Sequence, residues 1–406
     1  MLQYMTAGES HGKCLVAILE GMPRGVKIDR KLINLQLKKR RMGYGRGKRM
    51  KIEADKVDIL SGVRGGYTTA APISLLIENR DKTLDSLPPV FCPRPGHADL
   101  AGMLKYNIHD ARDILERASA RETAVRVAVG NICRQFLTLF GIDLFSHIKS
   151  LGGIKARVGK LSPLQIKRLA KNSSFGCADK YAEKLMKKSI DEIKKEGDTT
   201  GGIFEVIALG LPAGLGSCMD YRKKLDARLA LELISMQAIK AISFGAGFDK
   251  AHLSGSQFHD AIYYKQGRFF RKTNNAGGLE GGMTDGQPLR VSCFMKPIST
   301  LMKPLDSVNI KTKKPMKAAV ERADVCALPA AAIDDEDVDD MDADELEELY
   351  NEKNYRCQAP VYVIQDDEIE DYDDELERMT EGFAIQFTFN DSVSTTDGSA
   401  LQVNFT

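Results

Sequence analysis

Gly8-Glu9-Ser10-His11-Gly12 runs almost directly into Cys14-Leu15-Val16-Ala17-Ile18-Leu19-Glu20 and then Gly21-Met22-Pro23-Arg24-Gly25. The middle stretch is apolar-rich and short enough for a strand, and the glycine-rich stretch after it reads as a turn. A polar, glycine-flanked segment carrying Ser10 and His11 therefore opens onto a strand. Glycine lets backbone approach a ligand closely, and histidine is the side chain suited to moving protons near neutral pH. The segment also fits the Gly-x-Ser-x-Gly pattern of a serine-hydrolase nucleophile elbow. That turn needs a strand before it and an oxyanion loop earlier still. Only seven residues precede Gly8, so the hydrolase reading is set aside.

Working outward, Asp29 is expected to cap a helix carrying Leu32, Leu35 and Leu37. Residues 40–51 read as a glycine-rich basic loop, 73–77 as a buried strand and 94–97 as a loop. Residues 110–140 predict one long helix, with Ile114, Leu115, Ala118, Val125, Val129 and Ile132 on repeating faces. Residues 163–193 predict a Lys-rich helix and residues 225–241 a buried one. Residues 203–209 and 290–295 read as strands, with a glycine-rich loop at 274–282 between helix and second strand. Helices and strands alternate without a regular βαβ period, so the expectation is one large α+β domain over residues 1–333.

The 406 residues are 43% hydrophobic and 28% charged, which suits a globular protein with a sizeable core. No apolar run approaches the roughly 20 residues that span a bilayer. The start lacks a basic flank followed by an apolar stretch, so a cytoplasmic protein without a membrane partner is expected. The eight cysteines are scattered and form no Cys-x-x-Cys pair, which points to thiols rather than a zinc site or disulfide framework. The net charge of +2 hides an asymmetry: residues 334–406 carry roughly −21, leaving roughly +23 for the rest. A body so basic suits anionic partners. The acidic residues 334–381 are expected to be flexible, and residues 382–406 alternate like a strand, with no role assigned.

Several segments carry candidate chemistry. Arg94-Pro95-Gly96-His97-Ala98-Asp99 supplies a second loop histidine, so His11 and His97 form a pair of acid–base candidates. The other four histidines read as structural. The cluster from Lys38 to Lys51 interleaves Arg and Lys with glycine, as a loop folding over phosphates would. Arg117 and Arg121 are expected on one helix face, with Ser119 between them. Lys296-Pro297-Ile298-Ser299-Thr300 and Arg322-Ala323-Asp324 set charge beside small residues, a weak signal in each case.

Taken in order, these segments resemble the chorismate synthase family. Residues 8–25 match its first signature. Ser119-Ala120-Arg121-Glu122-Thr123, with Val127 and Gly130, resembles its second, and Arg322 to Ala327 its third. Arg94 to Asp99 and Asn275-Ala276-Gly277-Gly278 also fit, and the resemblance runs to about residue 332. It implies a β-α-β sandwich with helices packed between antiparallel sheets, assembled as a homotetramer. It implies a carbon–oxygen lyase that converts 5-enolpyruvylshikimate 3-phosphate to chorismate and phosphate by 1,4-elimination. That reaction is the last common step of the shikimate pathway to aromatic amino acids. It requires reduced FMN without net redox change, and NADPH is left open as the reductant. By the same resemblance, His11 is the general acid toward the leaving phosphate. His97 protonates or stabilises the reduced flavin, Asp324 helps move a proton through the flavin ring, and Ser10 and Ser119 orient flavin and substrate. Arg40 and Arg46 match NADPH-contacting positions. Arg117, Ala118, Ser119, Gln237, Ala238, Gly281, Lys296, Pro297, Ile298, Ser299, Thr300 and Arg322 match FMN-contacting ones. The chain departs from the family pattern at Ala323 and in the acidic stretch that follows.

Two other readings stay open at this point. One is a nucleic-acid-binding protein using the Lys38–Lys51 cluster, which requires steeply salt-dependent binding. Tyr44 is the aromatic within that cluster, so stacking support is thin, and no nucleic-acid partner is expected. The other is a flavin-binding homologue without turnover.

Overall fold

The computed structural model describes residues 2–45, 53, 55–321 and 324–328. Two antiparallel sheets dominate it. In the first, the strands run in the order Gln3–Ala7, Cys14–Glu20, Ile73–Glu78, Val57–Ile59. In the second the order is Ile239–Phe244, Leu289–Met295, Gly202–Leu209, Asp143–Leu151, Ile154–Lys155. Alternation sets which side chains enter the core: Leu15, Ala17 and Leu19 are fully buried, whereas Ile18 is exposed.

Helix α1 spans Arg30–Arg41 and begins at Asp29, whose carboxylate accepts from Lys31 N. Its core side is Ile33 and Leu37, one turn apart, rather than Leu32 and Leu35. The helix also takes in Arg40 and Arg41, which the sequence reading put in a loop. Helices α2 (Asp99–Tyr106), α3 (Arg112–Arg117) and α4 (Thr123–Thr138) follow. Ala124, Val125, Ala128, Val129 and Ile132 form a stripe on α4 at helical spacing, and it closes the core of the first sheet. Helices α5 (Pro163–Lys171), α6 (Lys180–Glu196) and α7 (Leu225–Ile234) accompany the second sheet. Tyr4 Oη donates to Glu232 of α7 at 3.2 Å, and Arg126 Nη1 of α4 donates to Ser235 Oγ at 2.8 Å. Helices thus lie between two antiparallel sheets, the expected α+β sandwich.

Three long helices predicted from periodicity are each interrupted. Residues 110–140 break at Ser119, which has extended backbone (φ −65°, ψ 142°) and whose hydroxyl accepts from Arg121 N. Arg117 and Arg121 therefore do not share a face. Arg117 is exposed, while Arg121 is buried against Asp55 and Asn79. Residues 163–193 divide into α5 and α6, because Asp179 caps a new helix by accepting from Tyr181 N and Ala182 N. Residues 225–241 end as a helix at Ile234 and resume as the strand Ile239–Phe244, with Ala238 at φ +70° between them. Apolar periodicity continued through all three breaks, and local hydrogen bonds and pairing with the strand Leu289–Met295 overrode it.

Candidate active site

The turn carrying Ser10 and His11 joins the first two strands and is held from three sides. Ser10 N donates to Glu116 O (3.0 Å), and His11 N donates to Glu116 Oε2 (2.9 Å). Asn79 Nδ2 donates to the carbonyls of Glu9 and Gly12, and Leu84 N donates to His11 O. Gly8 is required for the close approach: at φ +104°, an added Cβ would lie 2.3 Å from Cys14 O. Ser119 Oγ donates to Ser10 Oγ at 3.2 Å, so the break in the predicted long helix sets one hydroxyl against the other.

The His11 ring is almost enclosed. Its Nδ1 lies 2.8 and 3.0 Å from the two oxygens of Glu116, and its Nε2 is 3.9 Å from Asp81 Oδ2. Burial alone would raise the Glu116 carboxyl. Hydrogen bonds and charge from His11, with a hydrogen bond from Arg112, outweigh that and hold it below its ordinary value.

His97 has the same arrangement on another segment. Its Nδ1 is hydrogen-bonded with Asp99 Oδ1 and also lies 3.1 Å from Arg94 Nη2, and Arg94 Nε donates to Asp99 Oδ2 at 2.9 Å. Arg94 Nη2 lies 3.2 Å from the oxygen that His97 uses. Asp99 is fully buried at the first turn of α2, where a helix favours negative charge. Burial would raise its carboxyl too, yet hydrogen bonds and charge from His97 and Arg94 hold it well below the carboxylate range. Arg94 Nη1 also donates to Thr300 Oγ1 (2.9 Å), Ser299 Oγ donates to Gly96 O (2.7 Å), and Lys296 Nζ donates to Gly96 O and to Ser299 Oγ. Burial, with the charge of Lys240 nearby, lowers the Lys296 ammonium.

Gln237 and Ala238 tie the two groups together. Lys296 N donates to Ala238 O at 2.9 Å, and Gln237 Nε2 donates to Glu122 Oε2 at 2.9 Å. Thr6 Oγ1 donates to Glu122 Oε1, and Arg117 Nη2 donates to Thr6 O and Oγ1. Arg117 and Ala118 also line an open recess of about 480 Å³ with Tyr106, Ile108, Asp113 and Ile114.

Asp324 is brought toward the same loop through backbone. Val325 N donates to Gly45 O and Thr200 N donates to Val325 O, while Thr199 Oγ1 donates to Ile298 O at 2.7 Å. Pro297 packs beside Gly201, where a Cβ would lie 2.9 Å from its nitrogen. Arg40 is buried and donates to Thr123 Oγ1 and Ala120 O, beside Ser119. Gly281 lies in a turn beside Cys218, with φ +63°. Arg46 and Arg322 lie outside the described residues, as do residues 329–406.

Asp81 and Arg112 are partners that the sequence does not single out, while Glu116 and Glu122 stand there only as charges beside Arg117 and Arg121, with no tie to a histidine or to Gln237. Arg112 and Glu116 had one available signal, their i, i+4 spacing one turn ahead of Ser119. Glu122 had its own, an i, i+4 spacing to Arg126 and a place within the second signature, whereas only tertiary contact brings in Asp81.

No described helix is long and apolar enough to cross a membrane. A family model described as chorismate synthase matches residues 2–338. A chorismate synthase from Geobacter metallireducens is 51% identical over 353 residues, covering 82% of this chain and 90% of that protein. One from Exiguobacterium sibiricum is 50% identical over 346 residues with the same coverage. A crystal structure of chorismate synthase superposes with a TM-score of 0.66 at 39% identity, over 82% of this chain and 87% of the other. With the sandwich and the paired histidine loops, these likenesses show that the chain belongs to the chorismate synthase family.

Proposed function

We infer that the chain is a carbon–oxygen lyase that forms chorismate and phosphate from 5-enolpyruvylshikimate 3-phosphate by 1,4-elimination. The observation that carries the reading is the pair of loop histidines, each held at Nδ1 by a buried carboxylate and linked through Gln237–Ala238. A family member acts on a small phosphorylated substrate with a reduced flavin. We take that flavin to be FMN.

One feature of the chain fits such a group. Glu122 is held ionised: burial would raise it, but hydrogen bonds from Arg126, Gln237 and Thr6 keep it below its ordinary value. It can only accept, so the Gln237 amide nitrogen faces it, and Gln237 Oε1 is left buried without a donor among the described residues. A ring-edge N–H of a flavin bound there would supply the missing donor. Ala238 and Lys296 to Thr300, with Ser119, Arg117 and Ala118, complete the flavin-holding set, to which we add Gly281 and Arg322. When bound, the reduced flavin lends electron density to the elimination and recovers it by the end of turnover.

In this reading the chain's own residues hold and move protons. The C–O bond to phosphate and one ring C–H bond break, and a C=C bond forms. His11 donates from Nε2 to the departing phosphate oxygen. His97 holds a proton toward the flavin, and Asp324 helps carry the ring proton away. Ser10 and Ser119 orient substrate and flavin by their hydroxyls. NADPH at Arg40 and Arg46 is the reductant in this scheme. Arg40 is buried and donates to Thr123 Oγ1 and Ala120 O, next to Ser119, so its part there is to anchor the Ser119 turn. For the assembly we propose a homotetramer. The hairpin of strands Ile262–Lys265 and Arg268–Arg271 exposes Ile262, Tyr264 and Phe269, an apolar surface suited to contact between copies.

The test is anaerobic incubation with reduced FMN and the enolpyruvyl substrate, following phosphate and chorismate. Replacing His11 or His97 by Ala is expected to slow turnover about 10²- to 10⁴-fold with flavin affinity retained. Full activity in both variants would refute the acid–base assignment.

A further inference from the structure

We propose that Glu116 is the positioning residue for His11, fixing which ring nitrogen faces the departing phosphate. The proposal rests on the acid role given to His11 above.

Glu116 is 1% exposed and meets the Ser10–His11 turn at three points. Its carbonyl accepts from Ser10 N, its Oε2 from His11 N, and both carboxylate oxygens lie within 3.0 Å of His11 Nδ1. An ionised carboxylate accepts and cannot donate, so Nδ1 must carry the hydrogen. Proton transfer is thereby confined to Nε2, the nitrogen on the Asp81 side. The backbone contacts fix where the ring begins, and the carboxylate fixes its rotation and tautomer.

Glu116 is itself braced. Arg112 Nη1 reaches Oε1 at 3.3 Å, while Arg112 Nη2 donates to Pro88 O at 2.9 Å and pairs with Glu321 at 3.2 Å. A carboxylate held by an arginine one helical turn away is poorly placed to follow a moving ring, so the ring must conform to it. Arg94–Asp99–His97 repeats the arginine-braced carboxylate at a ring Nδ1 on a different segment, with Arg94 Nη2 itself also 3.1 Å from that nitrogen. That repetition favours a positioning role over the satisfaction of one buried turn. Among the described residues, the charged groups facing the ring and its carboxylate include Asp81 from the loop after Ile73–Glu78 and Arg112 from α3.

The experiment is single-turnover phosphate release by the reduced-FMN holoenzyme under anaerobic conditions, for wild type, Glu116→Gln, His11→Ala and the double variant. Glu116→Gln is expected to slow release more than about 10-fold and by up to about 10⁴-fold, the loss seen on exchanging the carboxylate behind a catalytic histidine for an amide. KM and flavin affinity should be unchanged and the pH–rate profile displaced, with Glu116→Asp recovering part of the loss. The double variant should be no slower than His11→Ala, because the two residues act as one unit. Losses that multiply, or a slower rate with an unaltered pH profile, would overturn the proposal while leaving His11 its role. A His11→Ala enzyme of full rate would overturn both. Independently of any variant's folding, the ¹⁵N spectrum of histidine-labelled protein should show His11 protonated at Nδ1. An Nε2–H tautomer alone would overturn the proposal.

Discussion

Ser119 Oγ donates to Ser10 Oγ at 3.2 Å, joining the turn between the first two strands to the break between α3 and α4. The same hydroxyl accepts from Arg121 N at 3.3 Å. It therefore caps the next turn and contacts the proposed substrate-orienting serine at once. Ser119→Ala removes both interactions. The expected cost is about 1 kcal/mol of stability, as for other lost caps, with weaker flavin or substrate binding. Thermal denaturation and flavin titration measure the two effects separately.

Asp99 holds His97 as Glu116 holds His11. Asp99→Asn exchanges an acceptor-only carboxylate for an amide and leaves Arg94 without its charge partner. Turnover should fall at least 10-fold by analogy with a catalytic dyad, while His97→Ala and the double variant should match. Chorismate formation under single-turnover conditions is the readout, and independent losses would exclude the pairing.

Glu205 offers a stability test away from the site. Its carboxylate pairs with His147 at 3.0 Å and Arg290 at 2.6 Å across three strands of the second sheet. Burial would raise it, but those partners hold it down at about 2, against an ordinary 4.5. A depressed carboxyl stabilises the fold at pH above its unfolded value. That contribution fades as pH falls from about 4.5 toward 2. Glu205→Gln should cost roughly 3 kcal/mol at pH 7. It should also flatten the dependence of stability on pH in that acid window, as denaturant titrations at several pH values will show.

The thiols sort by burial. Cys293 is pushed up to about 12, and Cys133 and Cys177 to about 11, each first by burial. The thiolate is the reactive form, so iodoacetamide at neutral pH should modify exposed Cys218 first and spare these three. Peptide mass spectrometry after brief labelling reads the order, and early modification of Cys293 would contradict the packing.

Ala238 adopts φ +70°, a region costly for a residue with a Cβ. Ala238→Gly should be tolerated or stabilising by up to about 1 kcal/mol, and Ala238→Val should destabilise by more. If the strained backbone serves the flavin, the Gly variant should keep its melting temperature and lose flavin affinity. Retention of both would separate the strain from binding.

Sequence by itself determined much of this protein. Short apolar runs placed the strands at Cys14–Glu20, Ile73–Glu78, Gly202–Leu209 and Leu289–Met295 to within a residue or so. Glycine-flanked Ser10–His11 and the His97 loop marked the proposed site, because turns that present polar side chains need residues free of Cβ constraint. The ordered motifs pointed to the family. What tertiary structure alone decided is where helices stop and which carboxylates meet the histidines. Periodicity counts apolar positions and runs on through Ser119 and Ile234, whereas a hydroxyl cap or a waiting strand ends the helix there. Glu116 lies 105 residues from His11, and a hydrogen bond over that separation exists only after the chain has folded.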